Sequence, residues 1–202
     1  ETKNVIAGEG GALLINDPSD ARRAEVLWEK GTNRSEFFRG ETAKYTWIDL
    51  GSSFLPSELT AAFLQAQLEH ADAFYGRRLE LWQRYHDSLE RFERAGALRR
   101  PGVPEQCRSN GHIYYVLLPT AAAQASMLAA LRSNGIDAVF HYVPLHSSPA
   151  GRRFGRASGP LAVTEDLPQR LIRLPLWAGM PDDHVDQVVD AIEQAMTHVI
   201  RK

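Results

Sequence analysis

The residues best suited to chemistry stand at the beginning of the chain. Lys3 carries a primary amine, and Gly8, Gly10 and Gly11 follow it before an apolar stretch. A neutral lysine amine can attack a carbonyl carbon, and glycines allow tight turns and a close approach of the backbone to a ligand. The same pattern also fits a solvated surface lysine beside an ordinary turn. The residue types alone leave both interpretations open.

A long polar segment, residues 32–53, supplies a second set of candidates. It is rich in aromatic side chains, which argue against disorder because they favour burial. Long loops in compact domains are often functional, so we expect this one either to pack on its own domain or to reach a partner subunit or a substrate. Its candidate binding residues are Asn33, Arg34, Arg39 and Tyr45, and arginine suits phosphate by geometry. A structural role for each is equally consistent with the sequence.

His141 and Tyr142 come at the end of a predicted strand, shortly before Pro144. Side chains at such a strand end can face a substrate, but a hydrogen-bonded core histidine is an equally good interpretation. The histidines show no metal-binding spacing. The single cysteine, Cys107, excludes a disulfide framework and a cysteine-ligated zinc site.

Several motifs together point to a known family. The chain opens with TKNxxxGEGGALLIND over residues 2–17 and continues with LGSSFLPSELTAA and a following QL over residues 50–68. HYxPLH occupies residues 141–146, and LPL occupies residues 174–176. These motifs resemble those of the DegT/DnrJ/EryC1/StrS sugar aminotransferases, and the resemblance extends over residues 1 to about 200.

The resemblance implies an α/β fold of the type I pyridoxal-phosphate (PLP) transferase architecture, similar to aspartate aminotransferase. On that basis residues 1–55 are the C-terminal part of the PLP-binding large domain, 56–97 a long linking helix and 98–202 the small C-terminal α/β domain. Because the chain begins inside a motif and not with Met, we expect an N-terminal portion of the large domain to precede it. The family also implies a homodimer with shared active sites.

The resemblance assigns roles to individual residues. Lys3 matches the lysine that holds pyridoxal 5'-phosphate as an aldimine and then shuttles a proton; relatives that dehydrate carry histidine there, so Lys3 favours transamination. Ser53 matches the position where an asparagine of the partner subunit contacts the cofactor phosphate, and serine can still donate one hydrogen bond. Leu55 stands where many relatives have arginine. The residues implied for nucleotide-sugar binding are Asn33, Arg34, Arg39, Tyr45, His141 and Tyr142.

The expected reaction is the transfer of an amino group from L-glutamate to a dTDP-4-keto-6-deoxy-hexose, which gives a dTDP-4-amino-4,6-dideoxy sugar. One alternative is an aminotransferase for another nucleotide keto-sugar. A second alternative, from a different class, is a non-catalytic module whose α/β domain and aromatic loop serve only dimerisation.

Composition limits the partners that we expect. The chain has 23 basic and 25 acidic residues, and its net charge of −2 argues against non-specific binding to nucleic acid or to an anionic membrane surface. No apolar run approaches the roughly 18 residues of a membrane span. Hydrophobic residues make up 44% of the chain, which is enough for a packed core. The single cysteine fits a reducing compartment, so we expect a cytoplasmic protein.

The elements that would position these residues follow from the apolar pattern and the capping signals. Residues 12–15 predict a strand, and Asp17 predicts the cap of a helix that ends at Lys30 before Gly31. The apolar period then predicts one long or gently kinked helix from Pro56, at its first position, to about Ala95, with any kink at Gly76.

The rest of the chain alternates between strand and helix, as in an α/β or α+β layer. Strands are predicted at 112–118, 136–143 and 172–175. Helices are predicted at 121–133, 149–154 and 164–171, and a last amphipathic helix is predicted from Asp182 or Asp183 to Ile200.

Overall fold

A computed structural model describes the backbone of residues 3–200 and the side chains of residues 3–196. Backbone contacts divide the chain into two compact units, Glu1–Ala71 and Asp72–Lys202. The assignment of residues 1–55, 56–97 and 98–202 to a large domain, a linking segment and a small domain stays a prediction.

Unit 1 contains helices α1 (Pro18–Trp28), α2 (Arg34–Phe38) and α3 (Glu58–Glu69). The predicted cap of α1 is confirmed, because the Asp17 carboxylate accepts a hydrogen bond from the Ser19 amide at 2.9 Å. The helix ends two residues before the predicted end, since Lys30 and Gly31 both have positive φ angles, of 64° and 77°.

The predicted strand at residues 12–15 is wrong. These residues form no regular structure, and Leu13 and Leu14 are 78% and 81% exposed. A β-strand requires a neighbour for its backbone hydrogen bonds, and within residues 3–200 none pairs with this segment.

The single long helix predicted from Pro56 to about Ala95 is also wrong. Two helices occupy this region, because α3 ends at Glu69 and α4 spans Ala71–Arg94. His70 lies between them with φ −109° and ψ 8°, outside the helical range, and this interrupts the hydrogen-bond ladder. Ser57 caps α3 by accepting from the Thr60 amide, so Pro56 precedes the cap, and Gly76 lies inside α4.

Unit 2 is built on a three-stranded antiparallel sheet with the order β1-β3-β2. The strands are β1 (Tyr114–Leu117), β2 (Val139–Phe140) and β3 (Leu171–Leu174). The second strand is far shorter than the predicted 136–143, because only its two residues pair with β3, at Arg173 and Ile172. The chain leaves the sheet after Phe140.

Helices surround this sheet in the part of unit 2 that the structure describes. They are α4, α5 (Ala121–Ser133), α6 (Pro149–Phe154), α7 (Ala162–Arg170) and α8 (Asp182–Ile200), and a 3₁₀ turn covers Leu145–Ser147. The predictions for α5, α6 and α8 are confirmed, whereas α7 begins two residues earlier than predicted and ends one residue earlier.

The core of unit 2 lies between the sheet and helices α4, α5 and α8. Its fully buried side chains include Leu81, Tyr85, Leu131, Ile172 and Val185, each 0% exposed. The predicted apolar face of α8 is confirmed, because Val185, Val188, Val189, Ile192 and Met196 are all buried. Removing this apolar surface from water is the main stabilising contribution.

Among the described residues, four ion pairs near the surface connect α4 with α8, namely Arg77–Asp182, Arg84–Asp182, Arg84–Asp186 and Arg91–Glu193. Exposed pairs of this kind contribute little each, on the order of 0–1 kcal/mol. They help to set the register of the two helices, while the buried face supplies most of the stability.

Two classes of feature are absent from residues 3–200. None of the described helices is long and apolar enough to cross a membrane. Nor do three or more His, Cys, Asp or Glu side chains among residues 3–196 come together in a way that could hold a metal ion.

We expect Leu131→Ala to lower the free energy of unfolding of unit 2 by about 2–5 kcal/mol, because the change leaves a cavity at a fully buried position. Leu145→Ala is the matched control, since that leucine is 84% exposed and the same change there should cost little. Urea unfolding of both variants measures the difference. Equal losses would mean that Leu131 is not part of the core.

Candidate functional site

Residues 46–54, which we call the docked segment, lie against the C-terminal end of α1. The Ser52 amide donates to the Leu27 carbonyl at 3.0 Å, and the Phe54 amide donates to the Trp28 carbonyl at 3.3 Å. The last carbonyls of a helix lack partners within the helix, so these bonds both cap α1 and fix the docked segment. Ser53, the predicted phosphate contact, is thereby held on a fixed backbone with its side chain exposed.

Two glycines allow this close approach. A Cβ atom on Gly51 would lie 2.1 Å from the Gly31 nitrogen and 2.8 Å from the Leu27 carbonyl oxygen. A Cβ on Gly31 would lie 1.9 Å from the Asp49 carbonyl oxygen, and its φ of 77° also favours glycine. In addition, the Gly31 carbonyl accepts hydrogen bonds from the amides of Ile48 (2.8 Å) and Asp49 (3.1 Å). Larger residues at either position would separate the two backbones.

Asn33 holds the start of the docked segment. Its side-chain oxygen accepts a hydrogen bond from the Thr46 amide at 2.8 Å, and its backbone amide donates to the Thr46 carbonyl at 3.2 Å. The amide oxygen of Asn33 is thus used within unit 1, and any contact with a substrate would fall to its NH₂ group.

Arg39 is held by two carboxylates of its own unit. Its two terminal nitrogens each donate to Glu25 at 3.0 Å, and its Nε donates to Glu41 at 2.8 Å. The Glu41 and Glu25 carboxylates raise the pKa of Arg39, and Arg39 in turn lowers the pKa of Glu41. A substrate phosphate at this guanidinium would have to displace one of these carboxylates.

Arg34 and Tyr45 lie beside a small aromatic group. The Arg34 guanidinium stands 5.1 Å from the centre of the Phe38 ring, a cation–π geometry, and the Tyr45 ring lies 5.6 Å from the Phe37 ring. Among the described residues Arg34 has no carboxylate partner. Of the two predicted arginines, Arg34 is therefore better placed to pair with an incoming anion.

Lys3 lies in unit 1, ahead of the turn at Gly8, whose φ is 74°. Its side chain is exposed, and within residues 3–196 it forms no ion pair. The amine is therefore accessible to a carbonyl compound. Its catalytic role stays a prediction.

Unit 2 contains a pocket of about 510 Å³, and the predicted residues His141 and Tyr142 both line it. The pocket lies where the chain leaves β2, between this segment and helices α5, α6 and α7. Its lining also includes Gln124, Phe140, Val143, Pro144, Ser147, Arg152, Glu165, Pro168 and Gln169. The volume is within the range of small-molecule sites.

The imidazole of His141 is the most unusual polar group in the pocket. Its Nδ1 atom is buried and has no hydrogen-bond partner within the described residues. Burial lowers the pKa of His141, and the positive charge of Arg173 lowers it further. The alternative interpretation of His141 as a hydrogen-bonded core histidine is therefore not supported at Nδ1.

Sequence reasoning missed several pocket residues. Arg152 belongs to a short basic pair in the sequence, and nothing in that pair indicates that its first member lines a pocket. Glu165 also lines the pocket, and its carboxylate lies 3.1 Å from the Nε2 atom of His146, a residue 19 positions away in the sequence. Only the packing of α6 and α7 reveals these positions.

Comparison with known proteins gives consistent matches over nearly the whole chain. The profile of the DegT/DnrJ/EryC1/StrS aminotransferase family matches residues 1–193. A dTDP-3-amino-3,4,6-trideoxy-alpha-D-glucose transaminase from Micromonospora megalomicea is 28% identical over 94% of this chain and 48% of its own length.

Solved structures match as well. The aminotransferase TlmJ from Streptoalloteichus hindustanus is 25% identical with a TM-score of 0.81, over 97% of this chain and 50% of its own. Spr1654 from Streptococcus pneumoniae, solved in its PLP-form, has a TM-score of 0.71 at 18% identity, over 94% of this chain and 46% of its own. The expected α/β fold, a portion of the type I architecture, is confirmed. The chain spans about half the length of these relatives.

We expect Gly51→Ala to destabilise unit 1 by about 1–3 kcal/mol, because its Cβ would overlap the backbone of Gly31. The amides of Ser52 and Phe54 should exchange faster with deuterium, since the docked segment would separate from α1. Gly11→Ala is the control, because a Cβ there meets nothing within 4 Å. Unchanged exchange in Gly51→Ala would contradict the close contact.

Proposed function

We propose that this chain, which belongs to the DegT/DnrJ/EryC1/StrS aminotransferase family, carries the catalytic lysine of a PLP-dependent sugar-nucleotide aminotransferase. The observation that carries the proposal is the position of Lys3. Lys3 lies within the family match, in a motif that resembles the lysine segment of these enzymes, and its side chain is exposed. The activity would belong to the complete enzyme, as an expected homodimer with shared active sites in the cytoplasm.

The proposed reaction transfers an amino group from L-glutamate to a dTDP-4-keto-6-deoxy-hexose. The sequences GTNRS, FFRG, KYTW and LGSSFLPSEL resemble those of dTDP-4-amino-4,6-dideoxygalactose transaminase. A second candidate is amination at C3, because one relative is named as a transaminase for a dTDP-3-amino sugar. The two candidates share the cofactor and the nucleotide and differ in the keto carbon.

Lys3 and Ser53 have the functional groups that this part of a pyridoxal 5'-phosphate site needs. Lys3 offers an amine without a carboxylate partner among the described residues, and Ser53 offers an exposed hydroxyl on the docked segment. When bound, the cofactor would supply an electron sink for the negative charge that develops on the substrate carbon. By resemblance Ser53 would donate to the phosphate of the cofactor in the partner subunit.

The roles of the remaining residues follow from their contacts. Once its Nζ is no longer bonded to the cofactor, Lys3 would act as a general base and acid. It would carry the proton between the substrate carbon that bears the amino group and the carbon of the cofactor. Arg34 would pair with the diphosphate of the nucleotide sugar, while His141 and Tyr142 would contact the substrate from their pocket. Asn33, Arg39 and Tyr45 would hold in shape the loop of residues 32–53, here called the binding loop, and Tyr45 would leave its hydroxyl for a ligand.

We expect Lys3→Ala to abolish the cofactor absorbance near the visible edge and to remove transaminase activity, because no other amine of the site would bind the cofactor covalently. Lys44→Ala is the matched control, since it removes an exposed lysine of the same unit. The measurement is the absorbance spectrum of each purified enzyme with pyridoxal phosphate. A band that persists in Lys3→Ala would mean that another amine holds the cofactor, and a band absent from the unmodified enzyme would favour the non-catalytic dimerisation module.

We expect Arg34→Ala to weaken binding of the nucleotide sugar by about 1.5–3 kcal/mol, the range for hydrogen bonds to a charged group. The glutamate half-reaction should change little. Arg39→Ala should affect both half-reactions to a similar degree, since Arg39 pairs with Glu25 and Glu41 and supports the loop. Stopped-flow measurement of each half-reaction separates the two outcomes. Equal damage from Arg34→Ala would assign that residue a structural role.

A further inference from the structure

One guanidinium group contacts the chain on both sides of His141. Arg173 lies on the central strand β3, opposite Tyr115 of β1 and Val139 of β2. Its side chain donates to the Phe140 carbonyl at 3.2 Å, and the guanidinium carbon stands 4.9 Å from the centre of the Tyr142 ring. The residue before His141 and the residue after it are thus both held by Arg173.

The surroundings of His141 oppose a positive charge on its ring. The Nδ1 atom is buried, so a charged imidazole would lose hydration there. Arg173 adds a nearby positive charge. The other charged groups of the pocket are Arg152 on α6 and Glu165 on α7, and Glu165 pairs with His146. Burial of the ring is the largest cause of the lowered pKa of His141, and the charge of Arg173 is the second.

We propose that Arg173 is a positioning residue of this pocket. It fixes the backbone and the ring that flank His141. Its charge acts together with the burial of Nδ1 against a charged imidazole, so that His141 meets its ligand as a neutral hydrogen-bonding group. A neutral imidazole offers one donor and one acceptor. Because Nδ1 is buried, Nε2 is the nitrogen left for the ligand, and a hydroxyl group of the hexose can pair with it in either tautomer, since a hydroxyl both donates and accepts. A phosphate instead needs donors or positive charge.

The choice of a sugar hydroxyl as the ligand group rests on the proposed function. The effect of Arg173 on His141 does not, because it follows from the contacts within unit 2. The experiment therefore has one readout for each part.

The first readout is the titration of His141 followed by NMR in the purified enzyme. His141→Gln identifies its signal among the seven histidines of the chain. Arg173→Gln removes the charge but retains a side chain that can donate a hydrogen bond, and we expect the His141 midpoint to rise. Arg173→Lys keeps the charge and should leave the midpoint low. Arg152→Gln removes a charge from the same pocket and should leave the midpoint unchanged.

A salt series on the unmodified enzyme gives the same answer without any substitution. The screening length falls from about 30 Å at about 0.01 M salt to about 3 Å at about 1 M. If the Arg173 charge holds His141 neutral, the His141 midpoint should rise as salt increases. This measurement keeps the inference testable if Arg173→Gln does not fold.

The second readout is the pH dependence of the steady-state constants. In Arg173→Gln the KM for the nucleotide sugar should rise as the pH falls towards about 6, near the ordinary titration range of histidine, while kcat changes much less. If Arg173→Gln only disturbed the structure of the pocket, KM and kcat would change to the same extent at every pH.

A His141 midpoint that stays unchanged both in Arg173→Gln and across the salt series would overturn the role of Arg173. If the midpoint rises while the KM of Arg173→Gln shows no added dependence on pH, Arg173 retains its effect on His141. The assignment of His141 to the nucleotide sugar would then be wrong.

Discussion

The approach of two backbones at Gly31 and Gly51 determines how unit 1 presents its candidate residues. A hydrogen atom is the only side chain that fits at either place, so the docked segment can reach the last carbonyls of α1 and cap them. The exposed Ser53 hydroxyl and the start of the binding loop at Asn33 both depend on this contact. The two glycines therefore position the candidate residues without taking part in any reaction themselves.

In unit 2 the pocket depends on the short length of β2. Only Val139 and Phe140 pair with the central strand, and residues 141–144 then leave the sheet and line the cavity. A full strand of eight residues, as the apolar pattern predicted, would place these side chains in a regular ladder. Because the strand stops early, His141 and Tyr142 lie at the wall of a cavity, while Arg173 on β3 donates to the carbonyl of Phe140, the residue just before them.

The contacts of each guanidinium group decide what its positive charge can act on. Arg39 is held by the Glu25 and Glu41 carboxylates, so its charge serves the loop. Arg34 faces an aromatic ring and has no carboxylate partner among the described residues, so its charge can serve a ligand. Arg173 contacts a carbonyl and a ring beside a buried imidazole, and there its charge acts on a neighbouring group.

The sequence alone determined what depends on local or strongly patterned signals. The Asp17 cap, helix α5, the buried face of α8 and the family and fold class could all be predicted, since a cap or an amphipathic period involves residues close in the chain. The tertiary structure decided what depends on distant partners. Residues 12–15 form no strand because nothing described pairs with them, and Arg152 lines a pocket only because α6 packs there. The break at His70 carries no glycine or proline signal and is defined by the backbone alone.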